Sequence, residues 1–239
     1  EEEYQRVSGL ANRSSYKIFY GLMHSAPILV LGLNPAGDPE ETSSDGTRGA
    51  GDMVASSSGA WYEGAEHDLL DCDWPENFGL RRLLMPLVQS DAERFRGAIV
   101  KTNLAFRRSR TAREIDIDQA IEEARPFVDQ ILEVVDPTLV ILTGVKLSKF
   151  LEHHVRSYAL AATQVKDPDI SHVVFDAAWV TLRHSDAPRL LVQVDHASQF
   201  SWTYERYGIP GRILTLLSDV PNFVAKQHES ASGRETEIR

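Results

Sequence analysis

Apolar residues along this chain fall into short unbroken runs, and between the runs they recur every three or four positions. An unbroken apolar run bounded by turn formers suits a strand covered on both faces, whereas the longer spacing marks the buried stripe of a helix. Four runs read as central strands: Ile28 into Gly32-Leu33-Asn34-Pro35, Ala98 to Asn103, Leu139 to Leu142, and Leu190 to Val194. Helical spacing is predicted from Tyr4 to Met23, with Tyr16, Phe19 and Tyr20 on its inner side, and again from Asn77 to Val88 and from Ile117 to Val135, where Asp136-Pro137 stops it. Two more helices are expected over Gly144 to His154 and Tyr204 to Leu217, the second broken or restarted near Pro210. Val173 to Phe175 and Trp179 to Leu182 read as two short strands paired around Asp176-Ala177-Ala178. The alternation predicts an α/β fold, a three-layer α/β/α sandwich with a mainly parallel central sheet of about four strands. It fits one domain over residues 1–225, followed by a tail, 226–239, with too little to bury to be ordered.

One stretch breaks the alternation. Asp38 to Pro75 is rich in Gly, Ser, Asp and Glu, with Trp61 and Tyr62 standing out in it. A loop of that length inside a compact domain is usually functional or disordered.

Composition narrows the function classes. The chain has 239 residues, is 42% hydrophobic, and carries a formal charge of -10. No apolar run approaches the roughly 20 residues of a membrane span, and the amino terminus does not resemble a secretory signal, so an intracellular, membrane-free protein is expected. Cys72 is the only cysteine, which rules out an intrachain disulfide and four-cysteine metal sites within one chain. His153-His154 has the look of a metal pair, yet adjacent helical residues point apart and no third ligand is evident. Neither a metal nor a cofactor is expected. The acidic balance argues against indiscriminate nucleic-acid binding, because phosphate contacts draw on Lys and Arg. It leaves room for a local basic run, Arg107, Arg108, Arg110 and Arg113, whose plain alternative is a solvated loop.

The candidate chemistry lies at the strand ends. Strands of a parallel sheet deliver their carboxyl ends to one edge, where ligands of open α/β sheets bind. Asn34 follows the first strand, Asn103 closes the second, and His196 follows the last in Asp195-His-Ala-Ser198. Read alone, Asn34-Pro35 is as well explained as the start of a turn; the convergence is what adds weight.

With these residues in place, the chain resembles the uracil-DNA glycosylase superfamily. Gly32-Leu-Asn-Pro35 is similar to the Gly-x-Asn-Pro first motif of its mismatch-specific and single-strand-selective branches, and His196-Ala197-Ser198 to its His-Pro-Ser motif. Asn103, in Thr102-Asn103-Leu104, falls where several branches place a base-reading asparagine, and Pro75-Glu-Asn-Phe-Gly-Leu-Arg-Arg-Leu83 resembles the opening of the helix after the first motif. The likeness spans roughly Ile28 to Trp202 and is carried by motif order and spacing. Ala36, Ala197 and the long insertion are departures from the pattern.

The resemblance implies roles that the residue types support. Breaking a base–sugar bond develops positive charge on the sugar and negative charge on the departing base. Asn34 has almost no proton affinity, so its implied role is to position water. His196 would donate a hydrogen bond to the leaving base, and Asp38 or Glu40 could supply a carboxylate. Asn103 offers an acceptor and a donor to a pyrimidine edge. Trp61, Tyr62 and Phe78 are the stacking candidates for a flipped base, with Leu33 counted in the base-binding set. Core packing is an equally good reading of each aromatic. Arg107, Arg108 and Arg110, with Ser198 and Lys146, are the candidate DNA contacts, Lys149 is a weaker one, and Phe200 and Trp202 are possible wedges into the duplex.

The expected function is that of a monofunctional DNA glycosylase, acting as a monomer on DNA. It would release uracil or a modified pyrimidine, a bulky modified cytosine of viral DNA included, in repair or antiviral defence. No lysine stands at a motif position as a Schiff-base nucleophile. The alternative is a non-catalytic DNA- or nucleotide-binding module of the same fold. A hydrolase using Ser185 or Ser198 would lack a nucleophile-elbow context.

Overall fold

The computed structural model describes residues 2–9, 18, 23–35, 75–109, 111, 113–161, 164–169 and 172–219. Tyr16, Phe19, Tyr20, Asp38, Glu40, Trp61, Tyr62, Cys72, Arg110, nearly all of the 38–75 loop and the 226–239 tail lie outside them, so the expectations placed there find no structural counterpart.

The fold is mixed α/β around one mostly parallel sheet of seven strands: β1 (Ile28–Gly32), β2 (Ile99–Asn103), β3 (Leu139–Thr143), β4 (Val155–Leu160), β5 (Val165–Asp167), β6 (His172–Leu182) and β7 (Pro188–Val194). Their order is β2-β1-β3-β7-β6-β4, with β5 also on β6. Neighbours from β2 to β7 pair in parallel, whereas β6 is antiparallel to β7, β4 and β5. Every residue of β1, β2 and β3 is buried, which explains why these strands read as unbroken apolar runs.

Alternate strand residues feed two apolar clusters, as the two-residue strand period requires. Leu29, Leu31, Val140, Leu142 and Leu191 pack with Tyr4 of α1 (Glu2–Ser8), Ile121, Val128 and Leu132 of α4 (Ile117–Val135), and Phe150 of α5 (Leu147–His154). Ile28, Val30, Leu139, Ile141 and Val192 pack instead with Leu80, Leu83 and Leu84 of α2 (Pro75–Leu84), Phe95 of α3 (Ala92–Ala98) and Ile213 of α8 (Ile209–Ser218). The remaining helices, α6 (Ala197–Phe200) and α7 (Trp202–Arg206), continue directly from β7.

Helix boundaries follow local chemistry. Asp116 caps α4 by accepting from Gln119 N at 3.1 Å, and the helix stops where Asp136 turns left-handed (φ 47°) ahead of Pro137. Pro210 sits in the first turn of α8, where its missing N–H costs nothing, so the expected restart falls at Tyr207–Gly208.

Several expectations need correction. The sheet has seven strands where the apolar runs predict about four. Edge strand β4 is mostly exposed and β5 is only three residues long, so neither shows as an apolar run. The two short strands expected over 173–182 are one continuous β6. The Asp176 carboxylate that interrupts the pattern accepts from Ala177 N and from Gln164 Nε2, both at 2.9 Å, and is tolerated mid-strand. The first helix stops at Ser8, where Gly9 takes φ +69°. No described helix is long and apolar enough to cross a membrane.

Candidate functional site

The pairing of β1 with β2 continues past both strands and ties Asn34 to Asn103. Gly32 sits opposite Asn103 in the register, and beyond it Leu104 N donates to Gly32 O (2.9 Å), Ala105 N to Leu33 O (2.8 Å) and Ser109 N to Pro35 O (3.2 Å). Asn103 is only 3% exposed, and its Oδ1 lies over Gly32 so closely that a Cβ built there would sit 2.4 Å from it. Glycine is therefore needed for close approach, not for an unusual backbone angle.

Asn34 is held by one end of its amide. Nδ2 donates to Ser109 Oγ at 2.8 Å, to Pro35 O at 3.2 Å and to Arg107 O at 3.4 Å. Two of these partners are carbonyls, which only accept, so the nitrogen end is fixed. Oδ1 accepts nothing from the described residues and is left as an oriented acceptor on a half-buried side chain.

His196 is fixed in the complementary sense. It caps α6: Ser198 N donates to Nδ1 at 3.3 Å, and Ser198 Oγ lies 2.8 Å from the same atom. With Nδ1 accepting, the neutral ring carries its proton on Nε2 and presents a donor. The ring rests on Gly144, where φ is +67° and a Cβ would come within 2.8 Å of His196 Cδ2. The segment around it is pinned from below. Ala197 N donates to Thr143 Oγ1 at 3.3 Å, Gly144 N to Val194 O at 3.0 Å, and the Tyr204 hydroxyl to Asp195 O at 2.6 Å. Burial, then the charge of Asp195, pushes the Tyr204 pKa up and keeps that hydroxyl a donor. Gly79 lets α2 lie directly on this segment, since a Cβ there would fall 2.1 Å from Ala197 O.

The other predicted residues divide. Phe78 is 49% exposed on the outer side of α2, with the Arg82 and Arg81 guanidinium carbons 4.7 and 5.8 Å from its ring centre. Trp202 is likewise exposed, with Arg206 at 5.5 Å. Leu33 is partly buried and packs against the apolar cluster that α1 and α4 cover. Arg107 is taken up by Glu123, Arg108 is half-exposed, and Ser198 serves His196. Lys146 is exposed ahead of α5, at a cavity of ≈ 580 Å³ that Gly144, Ser148, Asp176, Gln193 and Asp195 also line. Lys149 pairs with Asp118. His153 and His154 pair separately with Glu122 (2.8 Å) and Asp129 (2.7 Å).

Three polar residues near the site escape the sequence reading. Ser109, 2% exposed, anchors Asn34. Lys101, two residues before Asn103 and so on the same face of β2, meets Glu76 at 3.1 Å with its side chain only 6% exposed. Asn77 is 2% exposed on the buried side of α2. A lysine inside an apolar strand run and an amide on the buried stripe of a helix were visible signals; Ser109 had none.

No protein-family model matches the chain, and no curated protein matches it. Its function has to be read from the site, because a fold of this class hosts many chemistries.

Proposed function

We propose that this chain is a monofunctional DNA glycosylase that hydrolyses the N-glycosidic bond of uracil or a modified pyrimidine and leaves an abasic site, as its resemblance to the uracil-DNA glycosylase superfamily suggests. One observation carries the reading: an oriented amide acceptor (Asn34), a buried amide (Asn103) and an imidazole whose Nδ1 accepts from Ser198, leaving the ring proton to Nε2 (His196), stand at the carboxyl ends of β1, β2 and β7. The two apolar clusters, each fed by alternate strand residues, support the three-layer arrangement that would present such an edge.

In the reaction the C1′–N1 bond breaks and its electron pair leaves with the base. A water oxygen bonds to C1′, and the water's proton passes to solvent. Asn34 Oδ1 accepts a hydrogen bond from that water and aims its oxygen at C1′. His196 Nε2–H donates to the oxygen on which the base's negative charge collects, a preorganised donor at the point where charge develops. Asn103 pairs with the pyrimidine edge. Phe78, Arg81 and Arg82 on α2 offer a stacking and cationic surface to the strand.

The test is incubation with single- and double-stranded oligonucleotides carrying uracil, thymine mismatches or substituted cytosines, with alkali revealing abasic sites. The proposal expects alkali-labile cleavage on at least one substrate and intact strands without alkali. DNA binding with no base release on any substrate would instead favour the non-catalytic module.

A further inference from the structure

We propose that Arg107 and Glu123 are positioning residues that hold the Asn34 amide in its water-orienting pose, a role that rests on the glycosylase reading of Asn34. The sequence sets Arg107 among candidate phosphate contacts, but the structure turns its guanidinium inward. Nε donates to Glu123 Oε2 at 2.7 Å, Nη2 to Glu123 Oε1 at 2.6 Å, and Nη2 also to Ser8 O at 3.2 Å, the last residue of α1. Gln119 Nε2 steadies the carboxylate from one turn away on α4, at 3.0 Å. The two side chains are 24% and 11% exposed, so this is a half-buried fork, unlike a mobile surface pair.

The fork matters because of what the same short segment does with its backbone. All three acceptors of Asn34 Nδ2 depend on residues 107 to 109: Arg107 supplies a carbonyl, Ser109 supplies its hydroxyl, and Pro35 O is itself held by Ser109 N. That backbone is tied to β1 only by isolated bridges such as the Ser109 N–Pro35 O bond and is not part of a long strand, so side chains must add the rest of its support. Two anchors supply it from the face that α1 and α4 cover. Phe106 is fully buried in edge contacts with Tyr4 (5.2 Å) and Phe127 (6.5 Å), and Arg107 follows with its bidentate grip on α4. Removing either charge leaves the other half-buried and unmatched, which frees the segment on the side of Arg107 and Ser109. Asn34 would keep its place in sequence but lose the pose of its Oδ1.

The deciding readout is the Asn34 side-chain NH₂ pair in ¹⁵N spectra, assigned by its loss in Asn34→Ala, recorded alongside single-turnover base release and DNA affinity. Arg107→Ala and Glu123→Ala should move the pair toward solvent-exposed shifts and speed its hydrogen exchange. They should slow base release on the order of 10–100-fold, the range for a misplaced catalytic group, with DNA affinity within about twofold. Glu123→Gln should recover part of the rate, because its amide oxygen still accepts from Arg107. It also serves as the milder variant if an alanine variant fails to fold. In an Asn34→Ala background neither change should lower the residual rate further, since both act through one side chain. An unchanged NH₂ pair overturns the proposal whether or not the wild-type chain releases a base. So does loss of DNA affinity with a reduced salt slope, the mark of a phosphate contact. A released NH₂ pair with undiminished base release leaves the positioning intact and removes Asn34 from the chemistry, so the two claims fail separately.

Discussion

Replacing Gly32 with alanine perturbs the site through a single added methyl. The new Cβ would lie 2.4 Å from Asn103 Oδ1 and 3.6 Å from its Cγ. Carbon–oxygen contacts settle near about 3.3 Å, so the amide oxygen must retreat by about 1 Å from a position in which Asn103 is almost fully buried. The backbone of Gly32 is not left-handed, so the steric clash is the whole effect. Overpacking of this kind costs about 1–3 kcal/mol, and in a chain of this size each kcal/mol lowers the melting temperature by about 2–4 °C. Displacing a substrate-positioning group by about 1 Å costs rate on the order of 100-fold. Gly32→Ala should therefore melt a few degrees low yet lose most base release, measured by single-turnover kinetics on the preferred substrate. Asn103→Ala should lose comparable activity, and the double variant should melt higher than the two single effects summed, because the clash has gone. Full-rate base release by Gly32→Ala would refute the assignment of Asn103 to base reading.

Further outcomes follow from the same geometry. Gly144→Ala places a side chain at φ +67° and 2.8 Å from the His196 ring, so it should lose about 1–2 kcal/mol from backbone strain alone and base release in addition; calorimetry and the rate assay together check both. Burial lowers the pKa of His154 below its ordinary value near 6.5, against the opposing hydrogen bond that its Nδ1 makes to the Asp129 carboxylate. The unfolded chain therefore takes up that proton first, and stability present above pH 6.5 is lost as the pH falls below it; urea unfolding between pH 8 and 5 should show less of this loss in His154→Leu, and identical slopes would contradict it. Phe78→Ala and Arg82→Ala should each weaken binding of single-stranded DNA, by about 1–3 kcal/mol if a base stacks there; unchanged fluorescence anisotropy titrations would remove the outer face of α2 from the DNA path.

The buried parts of the fold were legible because burial leaves a pattern. Ile117–Val135 appears with the predicted bounds, since an apolar stripe, an Asp cap and Asp-Pro at the end all agree. β1, β3 and β7 appear where unbroken runs predicted them, while β4 carries no such run because it is mostly exposed at the sheet edge, and β5 carries none because it is only three residues long. At the site, the placing of Asn34, Asn103 and His196 on one sheet edge followed from strand order alone. What holds them did not. Ser109 and the inward turn of Arg107 are tertiary facts, and a run of arginines reads the same in sequence whether it faces a phosphate or a glutamate on the next helix. Phe78 shows the converse: the sequence left stacking and packing equally open, and its position opposite Leu80 and Leu83 leaves it exposed under two guanidinium groups.

On the proposed glycosylase reading, Asn34 and His196 act on the bond and not on DNA capture. Single-turnover base release and DNA affinity, measured side by side for the wild-type chain, Asn34→Ala and His196→Ala, address it most directly. Each variant should lose on the order of 100-fold or more in the chemical step, as for removal of one oxyanion-stabilising donor, with affinity for substrate DNA nearly unchanged. Full turnover in both variants, or a loss confined to binding, would contradict that reading.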